Sequence, residues 1–200
     1  MCAGIGSRWG QSTPKQLELI QRKPNLLRTH NMLVSMGISE KDIYVTVNSN
    51  NKKYFPKDLN LIIGSSIREI DRFRNGFNIL DNSDKTIFLY GDVVYHPLDL
   101  KTILNGKGYC FFGRIGANEI TDKIHGEIFG VITEHPSEFK DDVNMVAYMY
   151  EQKLISREIA WEVLNLNQNK SLKTYVELSK LTDDYDDIFE YKKVLRLLRV

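Results

Sequence analysis

A glycine-rich segment near the start of the chain constrains the fold more than any other feature. Gly4-Ile5-Gly6-Ser7-Arg8-Trp9-Gly10 is followed, four residues later, by Pro14-Lys15. Glycines let backbone N–H groups approach an anion closely, in conformations that other residues rarely adopt. An arginine can bind phosphate oxygens with two N–H groups at once, and a lysine adds a compact charge. The segment predicts a loop that binds a triphosphate; the alternative is a surface turn that happens to carry cations.

Two better-known phosphate-binding motifs do not fit this segment. A Walker loop requires Gly-Lys followed by Ser or Thr, and the sequence contains no such run. A dinucleotide-binding Gly-x-Gly-x-x-Gly motif would need glycine at Trp9, whereas Gly10 comes one residue later. The predicted loop is therefore of another type.

Hydrophobic periodicity predicts strands and helices in alternation through the first half of the chain. We predict strands over 42–47, 59–63, 86–90, 108–114, 126–133 and 175–178, and helices over 25–36, 67–74, 139–166 (broken near Ser156) and 186–198. Such an order is typical of an α/β protein with a three-layer α/β/α arrangement around a mostly parallel, mixed sheet. We expect one domain over residues 1–200, with 107–138 as a small β insertion that shapes the acceptor site.

Composition excludes several classes of protein. The 200 residues carry a formal net charge of +1, which gives no general attraction to nucleic acid or membranes. The two cysteines do not form a disulfide framework, and no apolar run is long enough to span a bilayer. The N-terminal residues lack the parts of a signal peptide. We expect a cytoplasmic protein without nucleic-acid or membrane partners; the sequence does not specify its oligomeric state.

The glycine loop and the segments after it resemble a known family. Cys2-Ala3-Gly4-Ile5-Gly6-Ser7-Arg8, Pro14-Lys15 and Lys23-Pro24-Asn25-Leu26-Leu27 are similar to the opening of nucleotidyltransferases with a GT-A-type, Rossmann-like fold, such as the sugar-1-phosphate nucleotidyltransferases. Family members have a full strand before the loop, whereas Met1 here already occupies its end, so we expect apolar residues upstream. The resemblance implies a Mg²⁺-dependent enzyme with catalytic Arg8 and Lys15. It implies nucleotide contacts from the following residues: Ala3, Gly4, Gly6, Ser7, Ser65 and Ser66.

Two acidic residues are candidate metal ligands. Asp92 follows a predicted buried strand, and ligands gather beyond the carboxyl ends of strands in open α/β sheets. The resemblance places a metal-binding aspartate there and a second one at Asp183, or at Asp184 if the register shifts by one. Oxygen ligands of this kind suit Mg²⁺. The alternatives are a turn or cap role for Asp92, and stabilisation of the last helix by the acids before it.

The remaining candidates are less specific. Ser65 and Ser66 follow the third strand, where related enzymes contact the base or ribose, although capping the next helix is an equal alternative. Glu134 and His135 resemble an acceptor-binding Glu-Lys-Pro segment, with histidine in place of lysine. Arg114 and Lys123 are alternative ligands for the acceptor phosphate, or simply solvated cations.

The resemblance implies transfer of a nucleoside monophosphate from an NTP to a phosphorylated small molecule, with a sugar 1-phosphate as the leading class, and release of pyrophosphate. Two alternatives stay open: a GT-A-type glycosyltransferase that uses an NDP-sugar, and a non-catalytic nucleotide-binding module. Glycosyltransferases of this fold commonly carry Asp-x-Asp, but Asp92-Val93-Val94 lacks the second acid.

Overall fold

A computed structural model describes residues 9–10, 13–65, 68–166 and 173–199. Its strands are β1 Leu19–Ile20, β2 Lys23–Pro24, β3 Tyr44–Asn48, β4 Asn60–Gly64, β5 Thr86–Leu89, β6 Val93–Val94, β7 Tyr109–Arg114, β8 Glu127–Thr133, β9 Lys173–Glu177 and β10 Asp183–Asp184. Its α-helices are α1 Asn25–Ser35, α2 Glu69–Asn75, α3 Phe77–Leu80, α4 Pro97–Asn105, α5 Pro136–Glu151, α6 Ala160–Asn165 and α7 Ile188–Val194. Single 3₁₀ turns cover Lys15–Leu17, Glu40–Asp42, Lys52–Tyr54 and Leu195–Arg199.

The largest sheet has four strands in the order β5-β8-β7-β9. Successive side chains of a strand point to opposite faces, and β7 supplies both faces of the core. Tyr109 and Phe111 pack with α2, α3, α5 and α6, whereas Cys110 and Phe112 pack against α1 and α4. Helices therefore cover both faces of the sheet, and the predicted three-layer α/β/α class is confirmed.

The pairing of the strands is mixed. Among the described strands, β3 pairs with β4 and β7 with β9 in parallel, and the other four pairings are antiparallel. The antiparallel pairings are more numerous because β8 runs against both of its neighbours, β5 and β7. The predicted excess of parallel pairing is thus absent from the described part of the chain.

The segment 107–138, which we predicted as a β insertion, is integral to the sheet. Its two strands, β7 and β8, lie at the centre of the four-stranded sheet, and their side chains are buried almost throughout. Only the connection 115–126 leaves the sheet. The register shifts between Phe112 and Gly113, where a side chain on Gly113 would overlap the carbonyl of Glu127. After this bulge the pairing resumes in a shifted register, with Gly113 opposite Ile128 and Arg114 opposite Glu127.

The C-terminal segment closes one end of the molecule. Strand β10 pairs antiparallel with β6, which sets Asp184 opposite Val93, directly after Asp92. Helix α7 follows, with Asp187 accepting hydrogen bonds from the backbone N–H groups of its first turn. Trp9, at the end of the glycine-rich segment, is buried against Tyr185 and Tyr191. Trp9 is therefore packed against the segment that carries β10 and α7. Among the described residues, no helix is both long enough and apolar enough to cross a bilayer.

Candidate active site

Lys15 lies at the centre of a group of acidic residues. It opens the 3₁₀ turn Lys15–Leu17, which begins directly after Pro14, and only 7% of the residue is exposed. Its Nζ lies 2.5 Å from Asp92 Oδ2 and 2.7 Å from Asp186 Oδ1. Nζ also donates a hydrogen bond to the carbonyl oxygen of Tyr185, at 3.1 Å. One ammonium group therefore joins the turn after β5 to the segment before α7.

The backbone of Lys15 is held by the same segment as its side chain. The hydroxyl of Tyr185 donates to the carbonyl oxygen of Lys15 at 2.6 Å, and both residues are buried. The ring of Tyr185 packs against Trp9, with 5.7 Å between the ring centroids. Through Tyr185, these contacts fix the position of Lys15 relative to Trp9 in the glycine-rich segment.

The carboxylates keep Lys15 charged. Burial by itself would lower the pKa of Lys15, but the charges of Asp92 and Asp186 outweigh burial and raise the pKa above its ordinary value. Lys15 is therefore an ammonium at any physiological pH. It is a positive group, buried and oriented, at the place where the sequence predicted a phosphate-binding cation.

Asp183, the predicted second metal ligand, is fully buried and its carboxylate is enclosed by donors. Arg114 Nη2 lies 3.3 Å from Oδ1, Asn118 Nδ2 donates to Oδ2 at 3.0 Å, and Thr121 donates its hydroxyl to the same oxygen. The backbone N–H of Asp184 also donates a hydrogen bond to Oδ1 of Asp183, at 3.0 Å. A metal would have to displace these donors, so the geometry gives Asp183 a structural role: it ties the connection 115–126 to β10.

Arg114, a predicted ligand of the acceptor phosphate, belongs to the same buried group. It is 1% exposed, and besides Asp183 it donates to the carbonyl oxygens of Gly116 and His125. The sequence suggested an exposed cation at the end of a strand. The bulge shifts the register before Arg114, which still pairs with Glu127, and the two Nη atoms of Arg114 bind the connection 115–126 and Asp183. The structure therefore does not offer this residue to a ligand.

Asp184 differs from Asp183 in having an unsatisfied oxygen. Its Oδ1 is buried and accepts no hydrogen bond, although Lys123 Nζ lies 3.3 Å away. Burial raises the pKa of Asp184 well above its ordinary value; Lys123 opposes this rise, and the charges of Glu127 and Asp92 add to it. A buried carboxylate oxygen without a donor is costly and is suited to a cation. The residues present therefore fit a divalent metal held by Asp92 and Asp184.

A second lysine connects the acidic residues. Lys123 Nζ lies 2.8 Å from Glu190 Oε2, and that oxygen also accepts the backbone N–H of Asp186 at 2.7 Å. Glu127, the first residue of β8, faces the same group; burial raises its pKa to about 7, with Lys123 opposing and Asp186 adding to the shift. The acidic residues around Asp92 outnumber the two lysines, which favours binding of a further cation.

The described residues contain no group of three or more His, Cys, Asp or Glu side chains arranged to hold a metal by themselves. A magnesium ion that binds phosphates needs only one or two protein carboxylates, because phosphate oxygens and waters supply the rest. The Asp92–Asp184 pair meets that smaller requirement.

Other predicted site residues lie elsewhere. Glu134 and His135 follow β8 at the end where Thr133 pairs with Thr86, whereas Asp92 lies past the opposite end of β5, so the structure does not bring them together. Glu134 instead accepts the backbone N–H of Gly108 at 2.6 Å. Ser65 is exposed after β4. Several predicted residues lie outside the described part of the chain: Ala3, Gly4, Gly6, Ser7, Arg8 and Ser66.

Three contributors to this site were not predicted as site residues: Asn25, Tyr185 and Asp186. Asn25 was quoted only for the family resemblance, and its side chain holds the turn that carries Asp92. Asp186 was visible as one of several acids before the last helix, but spacing alone does not show which of them faces Lys15. No sequence signal identifies Tyr185, because a tyrosine there is equally typical of a core.

Comparison with solved structures identifies the fold of the chain. The chain is similar to CTP:phosphocholine cytidylyltransferase from Streptococcus pneumoniae, with 14% identity and a TM-score of 0.63, over 98% of this chain and 96% of that one. It is similar to a protein assigned as a glucose-1-phosphate thymidylyltransferase from Bacillus anthracis, with 13% identity and a TM-score of 0.68, over 99% and 93% of the two chains. It is similar to HddC from Yersinia pseudotuberculosis, with 14% identity and a TM-score of 0.61, over 98% and 95%.

No protein-family profile matches the chain, and no curated protein matches it by sequence. The likeness is therefore one of fold. The chain has the Rossmann-like fold of sugar-1-phosphate-type nucleotidyltransferases, as the resemblance at its N-terminus predicted.

Proposed function

We propose, from the nucleotidyltransferase fold and the residues gathered at Lys15, that this protein is a Mg²⁺-dependent nucleotidyltransferase. It would transfer a nucleoside monophosphate from an NTP to a phosphorylated small molecule and release pyrophosphate. The observation that carries the proposal is the buried ammonium of Lys15, within 2.5 Å of Asp92 and 2.7 Å of Asp186. A fixed cation beside carboxylates at one end of the sheet suits a metal-bound triphosphate.

The reaction needs little covalent chemistry from the protein. A phosphate oxygen of the acceptor attacks the α-phosphorus of the NTP, the bond from that phosphorus to the bridging oxygen breaks, and pyrophosphate leaves. Catalysis is then mainly positioning and charge stabilisation. Lys15 would turn from its carboxylates to the α-phosphate and neutralise the charge that develops there. Arg8 and the glycines Gly4 and Gly6, which lie outside the described residues, would bind the β- and γ-phosphates as the sequence predicts.

Asp92 and Asp184 would hold the magnesium ion. When bound, the ion supplies positive charge that polarises phosphoryl oxygens and orients the triphosphate. We choose Asp184 over Asp183 because Asp184 has a buried oxygen without a hydrogen bond, whereas the oxygens of Asp183 are occupied by donors from Arg114, Asn118 and Thr121. Asp186 would release Lys15 when the substrate arrives.

The acceptor is a phosphate monoester in this proposal, with a sugar 1-phosphate as the first class to test. Two of the similar structures are described as acting on phosphocholine and on glucose 1-phosphate, so phosphorylated alcohols with an amine are the second class. Lys123 remains a candidate ligand of the acceptor phosphate, since it lies on the connection 115–126 and reaches Asp184. Such substrates would be met in the cytoplasm, the location that the sequence led us to expect.

Pyrophosphate release tests the proposal. The four common NTPs would be screened with and without Mg²⁺, against a panel that includes glucose 1-phosphate and phosphocholine. We expect release that needs Mg²⁺, one NTP and one acceptor, and that is lost in Lys15→Ala but kept in Lys57→Ala, which changes an exposed lysine. Thermal stabilisation by NDP-sugars but not by NTPs would favour a glycosyltransferase, and NTP binding without any turnover would favour a non-catalytic module.

A further inference from the structure

We infer that Asn25 is a positioning residue that sets the orientation of Asp92. This inference rests on the proposed function, because the orientation of Asp92 matters only if its carboxylate binds a cation. Asn25 is the first residue of α1 and is completely buried. Among the described residues, its side-chain hydrogen bonds go to the backbone on either side of Asp92 and not to Lys15, so its effect would pass through that backbone.

Both amide hydrogens of Asn25 are used on the turn that carries Asp92. Nδ2 donates to the carbonyl oxygen of Gly91 at 3.2 Å and to that of Val93 at 2.9 Å. These two carbonyls belong to the residues immediately before and after Asp92. A single NH₂ group therefore spans the aspartate, and only the amide nitrogen can face two carbonyl acceptors.

The helix that carries Asn25 is hydrogen-bonded to the residue that follows the 3₁₀ turn of Lys15. The backbone N–H of Asn25 donates to the carbonyl oxygen of Glu18 at 2.9 Å, shortly after Lys15 in the chain. Strand β6, which begins at Val93, pairs with β10 and sets Asp184 opposite Val93. The contacts of Asn25 thus fix the turn that lies between Lys15 on one side and Asp184 on the other.

The hydrogen bonds of the Asn25 side chain are directed to the Asp92 turn. Its Oδ1 is buried and accepts no hydrogen bond, whereas its Nδ2 donates to the carbonyls of Gly91 and Val93. An apolar residue of similar shape would remove both donated bonds and would free the turn. Groups that orient a metal ligand in this way are positioning residues.

The test uses direct metal binding, measured as Mn²⁺ titration of the NTP-saturated protein, beside the Mg²⁺ dependence of pyrophosphate release. Residues that orient metal ligands typically change metal affinity by about 10- to 100-fold. We expect Asn25→Leu to weaken Mn²⁺ binding by about that factor and to raise the half-saturating Mg²⁺ concentration in parallel. The KM for the acceptor should stay within about twofold, because Asn25 does not face the acceptor.

Two control variants separate positioning from stability. The amide group of Asn60 also donates to two carbonyl oxygens, those of Glu40 and Ile43. Asn60 is the first residue of β4 and neither of these hydrogen bonds goes to the Asp92 turn, so Asn60→Ala should leave Mn²⁺ binding unchanged. Val163→Ala removes a buried side chain from α6 and should lower the melting temperature without changing Mn²⁺ affinity. If Asn25→Leu does not fold, Asn25→Ser keeps one donor and should give an intermediate loss of affinity.

The possible outcomes are distinct. If Asn25→Leu or Asn25→Ser changes Mn²⁺ affinity no more than Val163→Ala does, the inference is overturned while the proposed function stands. If the unmutated protein binds no Mn²⁺ in the presence of any NTP, the proposed function fails, and the inference fails with it.

Discussion

Lys15 Nζ and Asp92 Oδ2 are 2.5 Å apart, although one residue lies in the N-terminal turn and the other follows the fifth strand. Under the proposed function, a phosphate bound by Lys15 would take the place of the contacts between its ammonium and the carboxylates of Asp92 and Asp186.

Lys15→Ala should abolish most of the activity of a folded protein. Removing one electrostatic contact from a phosphoryl-transfer site costs about 100- to 1000-fold in rate. Pyrophosphate release measures this, and circular dichroism shows whether the variant folds. Lys57→Ala is the matched control, since Lys57 is exposed. Release at the unmutated rate by Lys15→Ala would contradict the proposed role.

Asp184→Asn and Asp183→Asn should affect different properties. Asp184→Asn removes a charge whose Oδ1 accepts no hydrogen bond, and Lys123 keeps Glu190 as an ionic partner, so we expect weaker Mn²⁺ binding with little loss of stability. Asp183→Asn should instead destabilise the fold, because Arg114 loses its buried ionic partner. Mn²⁺ titration and chemical denaturation of both variants give the comparison. Selective loss of metal affinity in Asp183→Asn would return the metal role to Asp183.

Arg114→Met should be destabilising without changing the selection of the acceptor. The variant leaves Asp183 in the interior without its cation, and breaking a buried ion pair in this way costs about 3–5 kcal/mol. The double variant Arg114→Met/Asp183→Asn should recover part of that loss, which urea denaturation can measure. An increase in the acceptor KM at unchanged stability would instead support the acceptor-binding role predicted from sequence.

Tyr185→Phe should lower the melting temperature. The hydroxyl of Tyr185 donates to the carbonyl of Lys15 at 2.6 Å. That carbonyl also accepts the backbone N–H of Glu18 at 3.1 Å, so the variant loses one buried hydrogen bond, at a cost of about 0.5–1.5 kcal/mol. For a chain of this size, each kcal/mol corresponds to about 2–4 °C. Tyr191→Phe removes a comparable donor to Leu19 in an exposed position and should have a smaller effect. Equal shifts for the two variants would contradict the prediction.

Glu127→Gln should change how stability depends on pH. Burial raises the pKa of Glu127 to about 7 from an ordinary value of 4.5. Between these values the folded state holds a proton that the unfolded state has released, so stability falls as the pH rises through this window. The variant should therefore be more stable than the unmutated protein at pH 8 and similar to it at pH 4.

Thermal unfolding at several pH values measures this difference, with Glu40→Gln as an exposed control. Adding Mg²⁺ and NTP should reduce the difference, because a nearby cation favours the charged carboxylate. A difference of the same size at every pH would show that the effect of Glu127 is not one of ionisation.

Much of the fold could be predicted from the sequence because its helices and strands have clear periodicity. The predicted helix over 25–36 corresponds to α1 Asn25–Ser35, and the strand over 108–114 to β7 Tyr109–Arg114. The sequence prediction contains no helix over Pro97–Asn105. That helix is short, and Leu98 is 69% exposed while Asp99 is buried, so its apolar pattern is irregular. Two-residue strands such as β6 and β10 give no periodic signal at all.

The site was only partly predictable. The sequence indicated that Lys15 and Asp92 line one cleft, and the structure brings them into contact; their catalytic roles stay predictions. The choice between Asp183 and Asp184 could not be made from spacing, because neighbouring residues of a strand face opposite ways. Arg114 was misleading for a similar reason: a bulge one residue earlier determines where its side chain lies.

The contact between Lys15 and Asp186 joins residues 171 positions apart. Because a chain leaves the ribosome from its N-terminus, Lys15 emerges long before the partners that surround it. Strands β3 to β8 are synthesised before the segment around Asp186 exists. Under the proposed function, the full set of charged contacts around Lys15 would therefore form late in biosynthesis, once that segment has been made and has docked.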